Sequence, residues 1–276
     1  MKWKLANLAG IDVYVHWSFW ILPGWMLMSA MSSSGVVAAV STVAFLFAVF
    51  GCVVLHELGH ALAARQFGIG TRDITLYPIG GVASLNEIPR SPVKELVIAL
   101  AGPAVNVVIA GAILGGSLLA GAGYQLSFSH VPGWNFLIEL MFVNIGLVVF
   151  NLLPAFPMDG GRVLRSFLAM QLPYERATTI AARVGKGMAV VLGLLGLFYS
   201  GSLVLVAMFV YLAAQAELSA VRSAVSQGPI YVVPPQWSSP DVSAPPGEGI
   251  VWLSDVTSRP GGPFVIRVTT RPSQPW

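Results

Sequence analysis

The segment Val53-Val54-Leu55-His56-Glu57-Leu58-Gly59-His60-Ala61-Leu62 places two imidazoles and a carboxylate inside an apolar run of the chain. Ionisable groups at membrane depth are energetically costly, so their presence in such a run indicates a functional site. Residues i and i+4 share one face of a helix, so His56 and His60 can bind one metal ion. Two neutral imidazoles beside a carboxylate are typical of a hydrolytic zinc centre, in which Glu57 is the general base.

The composition of the chain is that of a membrane protein. Of its 276 residues, 55% are hydrophobic and 10% are charged, whereas about a quarter of the residues in soluble domains are charged. Several apolar runs reach roughly 20 residues, the length that crosses a bilayer. The net charge of +3 is too small to indicate nucleic-acid binding, and the single cysteine excludes an intrachain disulfide framework. We therefore expect a lipid bilayer around the protein and no nucleic-acid partner.

Apolar segments predict an all-α polytopic membrane protein with about six transmembrane helices. The polar, β-prone and turn-rich stretch 68–87 follows the second segment, and it predicts a small β element that is associated with the membrane. The predicted limits of the six segments are residues 17–31, 36–66, 93–121, 134–153, 177–199 and 202–221.

The composition changes near residue 226, where Pro, Ser and Gly become frequent. We expect a membrane-embedded metalloprotease domain at residues 1–225 and a weakly structured tail at 226–276. Within the tail, residues 249–256 and 263–269 are candidates for short strands.

The distribution of Lys and Arg predicts the orientation. They occur before the first segment, between the second and third, between the fourth and fifth, and after the sixth; the connections 32–35, 122–133 and 200–201 contain neither. Both termini are therefore expected on the cytoplasmic side. Because His60 lies five residues before Arg65, the metal site is expected inside the membrane, near that side.

A third metal ligand is required, because catalytic zinc usually has three protein ligands. Asp159 fits best: it follows a proline-broken stretch and lies three residues before Arg162, which gives it a depth similar to that of His60. The adjacent Gly160-Gly161 would let the backbone approach closely. The weaker candidates, judged by their position relative to the segments, are His16, His130 and Glu139.

Four sequence blocks, in this order, resemble the site-2 protease family of intramembrane zinc metalloproteases. The resemblance covers residues 10–222, and it implies His56, His60 and Asp159 as ligands of one zinc ion per chain and Glu57 as the catalytic base. No connection is long enough for a PDZ domain, and the tail is too short for a CBS pair, so the chain resembles a compact bacterial-type member. The blocks are His56-Glu57-Leu58-Gly59-His60, Tyr77-Pro78-Ile79-Gly80-Gly81-Val82-Ala83, Gly102-Pro103-Ala104-Val105-Asn106 and Asn151-Leu152-Leu153-Pro154-Ala155-Phe156-Pro157-Met158-Asp159-Gly160-Gly161.

The predicted function is hydrolysis of peptide bonds within or next to a transmembrane segment of a membrane-protein substrate. The predicted location is the bacterial cytoplasmic membrane, with several passes. A metal transporter and a catalytically silent scaffolding relative are the alternatives, and both predict a chain that cleaves no peptide bond. The sequence leaves the substrate and the oligomeric state open.

Several polar or small residues near the motifs have two interpretations. Asn106 either forms a helix–helix hydrogen bond or steadies the substrate backbone or the oxyanion. Gly80 and Gly81 either form a turn or belong to a strand edge that pairs with an extended substrate. Cys52 is either a small buried apolar residue or an inhibitory fourth ligand.

Two other features have simpler interpretations. Asn151 is expected to cap or cross-link the broken fourth helix. Arg162 and Arg165 are expected to act as topological anchors at the cytoplasmic face.

Overall fold

The computed structural model describes residues 1–78, 80–86, 91–119, 134–226, 230–232, 251–257 and 265–270. Its helices are α1 (Ile21–Gln66), α2 (Pro92–Leu119), α3 (Trp134–Asn151), α4 (Asp159–Ala169), α5 (Tyr174–Tyr199) and α6 (Gly201–Ser226). Its strands are β1 (Lys2–Leu8), β2 (Ile11–His16), β3 (Thr71–Tyr77), β4 (Gly80–Leu85), β5 (Ile230–Val232), β6 (Val251–Thr257) and β7 (Val265–Thr270).

Helix α1 combines the first two predicted segments and turns back at Gly35. The backbone of Gly35 is non-helical, with φ 82° and ψ 177°, a left-handed φ that glycine adopts readily. The parts of the chain before and after Gly35 pack against each other. The ring centres of Phe19 and Phe50 lie 4.6 Å apart, and Leu22 and Leu46 belong to the same apolar cluster. The predicted break between residues 31 and 36 is therefore present.

The predicted fold class, a mostly helical membrane protein, is confirmed. Among the described residues, four helical stretches have the length and hydropathy of membrane spans, and the shorter apolar helix Phe136–Asn151 corresponds to the predicted fourth segment. The number of six crossings stays a prediction. The four stretches are Trp17–Gln66, Pro92–Leu119, Tyr174–Tyr199 and Gly201–Val221.

The β element is larger than predicted. It is a four-stranded sheet in the order β1-β2-β3-β4, in which β2 and β3 are parallel and the two outer pairs are antiparallel hairpins. The predicted element corresponds to β3 and β4, whereas the N-terminal hairpin was not predicted. Its turn has positive φ at Ala9 (53°) and Gly10 (83°), and its second strand, Ile11–His16, alternates buried and half-buried residues. Alternation of this kind is typical of a strand. The lysines of this N-terminal region predict only the orientation of the chain in the membrane.

Alternate residues of β2 and β3 fix the sheet to α1. Val13 and Ile74, which are paired across the parallel ladder, pack with Ala61. The next pair on the same face of the sheet, Val15 and Leu76, packs against the Phe19–Phe50 contact. Because Ala61 follows His60 directly, this packing places the sheet beside the histidine pair.

A cross-strand ion pair stabilises the far side of the sheet. Lys2 on β1 reaches over the Tyr14 ring on β2 and forms an ion pair with the buried Asp73 on β3. The hydrogen bond from the Lys2 ammonium holds the pKa of the Asp73 carboxyl below its ordinary value. Asp73 therefore stays ionised through the neutral range.

The C-terminal unit, Ala216–Trp276, contains a three-stranded antiparallel sheet in the order β5-β7-β6. The predicted strands 249–256 and 263–269 correspond to β6 and β7, and β5 was not predicted. The domain boundary at residue 225 stays a prediction.

The first testable prediction concerns the crossing of α1 and α2. A Cβ added to Gly59 would lie 2.8 Å from both the Ala101 carbonyl oxygen and Val105 Cγ2. Because backbone atoms cannot move aside cheaply, Gly59→Ala should lower the free energy of unfolding by about 1–3 kcal/mol. The measurement is the thermal midpoint of the purified protein in detergent with a chelator.

The control is Gly51→Ala on the same helix, where an added Cβ meets nothing within 4 Å. It should be neutral or stabilising by up to about 1 kcal/mol, since alanine favours helix over glycine. Equal midpoints for the two variants would contradict the close crossing.

Candidate active site

Three buried side chains from two separate helices converge on one point. His56 and His60 lie on one face of α1, and Asp159 is the first residue of α4. The Nε2 atoms of the two histidines are 3.1 Å apart, and Asp159 Oδ2 lies 3.1 Å from His60 Nε2 and 3.2 Å from His56 Nε2. The exposed fractions are 5%, 7% and 8% for His56, His60 and Asp159.

This triangle fits a tetrahedral metal ion. Ligand bonds of about 2.0–2.1 Å in tetrahedral geometry hold neighbouring ligand atoms about 3.3 Å apart. The observed separations need to grow by only about 0.2 Å to reach that value. Two imidazoles and one carboxylate also match the donor set of catalytic zinc, with a fourth position left for water or substrate.

Hydrogen bonds on the other ring nitrogens direct both Nε2 atoms at the convergence point. His56 Nδ1 lies 2.5 Å from the Oδ1 atom of Asn106, and His60 Nδ1 lies 2.7 Å from the Ile98 carbonyl oxygen. Both partners are acceptors, so each Nδ1 carries and donates the hydrogen, and each Nε2 keeps a lone pair for a metal. Helix α2 thus supplies the outer support for both histidines.

The Asn106 amide belongs to a chain of hydrogen bonds between helices. Its Nδ2 donates to Asn144 Oδ1 on α3 at 2.8 Å, and Asn144 Nδ2 donates to the Leu140 carbonyl at 2.8 Å and to Cys52 Sγ at 3.4 Å. Both asparagines are fully buried. The helix–helix hydrogen bond predicted for Asn106 is present, and the same side chain orients His56.

Asn144 was missed by sequence reasoning. The signal was available, since Asn144 is an amide in the middle of an apolar segment. Cys52 is buried and lies at the far end of the hydrogen-bond chain, outside the group of three converging ligands.

A glycine on α2 makes room for the two rings. A Cβ on Gly102 would lie 2.2 Å from His60 Nε2 and 2.7 Å from His56 Nε2. Any side chain at this position would therefore overlap with the convergence point. Glycine is required at this position because the backbone of α2 passes close to the rings of His56 and His60.

Glu57 faces the sheet. A Cβ on Gly81 would lie 2.8 Å from Glu57 Cγ, so strand β4 presents bare backbone to this side chain. The backbone amide of Ala83, on the same strand, also lies near the Glu57 carboxylate. Glu57 thus lies between the histidine pair, which faces α2, and the strand β4.

The loop before α4 and two glycines position Asp159. A Cβ on Gly160 would lie 2.2 Å from the Leu153 carbonyl oxygen, and one on Gly161 would lie 2.8 Å from the Ala155 carbonyl carbon. The close backbone approach expected at Gly160-Gly161 is therefore present. Helix α4 itself was not predicted.

Other predicted residues lie elsewhere. His16 precedes the short 3-10 helix Trp17–Trp20, and its Nδ1 atom lies 2.8 Å from Ser18 Oγ. Glu139 is exposed on α3, and His130 falls outside the described residues. Asn151 is the half-buried last residue of α3. The alternative ligands His16 and Glu139 therefore lie outside the converging group.

The expectation for Arg165 was wrong. Arg165 is not an anchor at the membrane surface, because its side chain is buried and paired with Glu95 on α2. Arg162, one turn earlier on α4, is exposed as expected.

Comparison with known proteins identifies the family. The model of peptidase family M50 matches residues 44–129 and 125–192, which include both histidines, Glu57, Asn106 and Asp159. A zinc metalloprotease of Methanocaldococcus jannaschii is 34% identical over 243 residues, which are 84% of this chain and 68% of that protein. The chain belongs to peptidase family M50. The predicted family and the predicted enzyme class, a zinc-dependent protease, are thereby confirmed.

A solved structure and another curated protein also match the chain. The structure of the site-2 protease from Methanocaldococcus jannaschii superposes with a TM-score of 0.57 at 36% identity, covering 79% of this chain and 95% of that one. Stage IV sporulation protein FB of Bacillus subtilis is 26% identical over 189 residues, which are 68% of this chain and 58% of that protein. With its apolar helices, this M50 chain is a multi-pass membrane protein.

The second prediction tests the glycine beside the ligands. Gly102→Ala should lower zinc affinity at least tenfold, because the added methyl group overlaps with both ring nitrogens. Zinc affinity of the purified protein can be measured by competition with a chromogenic chelator.

The matched control is Gly111→Ala on the same helix, where an added Cβ meets nothing within 4 Å. It should bind zinc like the wild type. A Gly102→Ala variant with unchanged zinc affinity would show that the metal does not lie against α2.

Proposed function

We propose that this M50 chain is an intramembrane zinc protease that hydrolyses peptide bonds within or next to a transmembrane segment of a membrane-protein substrate. One zinc ion per chain is held by His56, His60 and Asp159. The observation that carries the proposal is the convergence of these three ligand atoms within 3.2 Å, with Glu57 beside them.

Zinc at this position would polarise the scissile carbonyl and acidify a water molecule. Glu57 accepts the proton of the attacking water and passes it to the leaving amine, so that both proton transfers use one carboxylate. Strand β4 lies against that side chain at Gly81 and limits its position from the side of the sheet. Because the Nδ1 atoms of His56 and His60 are engaged by Asn106 and the Ile98 carbonyl, their Nε2 atoms are the ring nitrogens that would bind the metal.

The open edge of β4 supports a mode of substrate binding. β4 pairs with β3 on one side, and within the described residues no strand pairs with its other side. Unpaired strand edges bind extended peptides through backbone hydrogen bonds. A substrate strand beside Gly80 and Gly81 would pass next to Glu57, since Gly81 already contacts that side chain.

Such a substrate must be locally extended. Amides inside a transmembrane helix are hydrogen-bonded, so helix-weakening residues such as Gly or Pro are expected near the cleaved bond. Asn106 acts in this scheme by positioning His56, since its Oδ1 and Nδ2 both have buried partners.

The orientation follows the charge distribution. With both termini on the cytoplasmic side, the ligands lie nearer that face of the membrane. A transporter would need metal ligands along a path through the membrane, whereas the described residues hold one group of converging ligands. This observation favours hydrolysis over transport.

The third prediction separates metal binding from catalysis. Glu57→Gln should keep zinc and lose cleavage by about 10²–10⁴-fold, because the amide cannot accept the water's proton. Asp159→Ala should lose both zinc and cleavage, because it removes a ligand. The measurements are zinc per chain and cleavage, in liposomes, of single-span reporter proteins with Gly or Pro in the membrane segment.

Wild-type cleavage should disappear with a chelator and return with zinc. A Glu57→Gln variant that cleaves at the wild-type rate would contradict the role of that carboxylate. Reporters left intact by the zinc-loaded wild type would favour the silent relative.

The fourth prediction tests the strand edge by disulfide cross-linking. In a Cys52→Ser, Glu57→Gln background, Val82→Cys on β4 should cross-link to single-cysteine reporters at every second residue, because strand side chains alternate. The control is Leu5→Cys on β1, an exposed position on the opposite edge strand. Cross-links at every third or fourth residue would indicate a helical substrate and contradict pairing.

A further inference from the structure

A buried ion pair connects the two parts of the metal site. Arg165 on α4 is 2% exposed and Glu95 on α2 is 4% exposed. Arg165 Nε donates to Glu95 Oε1 at 2.9 Å, and a terminal guanidinium nitrogen donates to the same oxygen. The guanidinium carbon lies 5.0 Å from the centre of the Phe156 ring and 5.1 Å from that of Tyr174, so the cation is enclosed by two aromatic side chains.

Stability alone does not account for such a pair. Removing two charges from water costs several kcal/mol per ion, and an apolar pair of similar volume is often equally stable or better. A buried ion pair differs from an apolar contact in its geometry, because charge-assisted hydrogen bonds are short and directional and hold the two groups at one separation. The places of Glu95 on α2 and Arg165 on α4 indicate the role of this fixed separation.

On the side of α2, the pair is one turn away from a ligand support. Glu95 precedes Ile98 by three residues, so both lie on one face of the helix. The Ile98 carbonyl accepts the hydrogen bond from His60 Nδ1. The turn of α2 that holds Arg165 is therefore the turn that orients His60.

On the side of α4, the pair is close to the third ligand. Arg165 belongs to the helix that begins with Asp159, and Phe156 lies in the loop that leads into it. Asp159 comes from a segment separate from the histidines, so its distance to them depends on how α4 sits on α2.

We propose that Glu95 and Arg165 form a positioning pair that fixes α4 against α2 and thereby sets the distance between the Asp159 carboxylate and the two histidines. The inference rests on the proposed zinc site. Neither residue touches the metal or the substrate; they act through Asp159 and His60.

The experiment compares four variants of the full chain in detergent: Glu95→Met, Arg165→Met, the double variant and Arg165→Lys. Two quantities are measured for each, the thermal midpoint of the metal-free protein and the affinity for Zn²⁺. Visible absorption of the Co²⁺-loaded protein reports on the coordination geometry. Arg183→Met is the control, because Arg183 is an exposed arginine on the next helix, α5.

Each single Met variant should lower the midpoint, because it leaves an unpaired buried charge. The double variant should regain a midpoint close to that of the wild type, yet bind zinc at least tenfold more weakly and give an altered Co²⁺ spectrum. Arg165→Lys keeps the charge but loses the planar fork, so it should fold and bind zinc several-fold more weakly. Arg183→Met should match the wild type in both quantities.

Wild-type zinc affinity in the double variant, or in a folded Arg165→Lys variant, would overturn the positioning role and leave the pair as a packing element. Asp159→Ala, measured in parallel, separates this failure from that of the site itself. If Asp159→Ala also binds zinc normally, the proposed metal site is wrong; if it alone loses zinc, only the role of the pair is wrong.

Discussion

The burial of two histidines and an aspartate imposes one requirement on this protein: their polar atoms need partners inside an apolar environment. An unsatisfied polar group costs several kcal/mol where no water is available. The Asn106 amide and the Ile98 carbonyl meet this need at the two Nδ1 atoms. The three inward-facing atoms lie 3.1–3.2 Å from one another, and a metal between them is the partner that suits all three.

That requirement explains why so many close contacts surround the site. The support comes from backbone or from short side chains, so helices and strand must approach nearly to backbone contact. Around the site, a Cβ would strike a neighbouring backbone or a functional side chain at Gly59, Gly81, Gly102, Gly160 and Gly161. Elsewhere in the helices, glycines such as Gly111 face open space and carry no such constraint.

The sequence predicted the parts of the site whose signals are local. The spacing of His56 and His60 is a helix property, and Asp159 was found because its depth could be judged from neighbouring charges. Asn144 and the Glu95–Arg165 pair depend on which helices meet, and one chain's hydropathy does not contain that information. Arg165 was misjudged because arginines near membrane segments are usually exposed, and only a carboxylate 70 residues away in sequence makes its burial tolerable.

The parallel pairing of β2 with β3 has a consequence for biogenesis. Parallel neighbours cannot be joined by a tight turn, so the chain between them has to leave the sheet and come back. In this protein that excursion is α1, which reverses at Gly35. A nascent chain can therefore pair β2 with β3 only after the whole of α1 has been synthesised, because α1 lies between these strands in the sequence. The hairpin of β3 and β4 is local and can form by itself, whereas its union with the N-terminal hairpin has to wait for the helix.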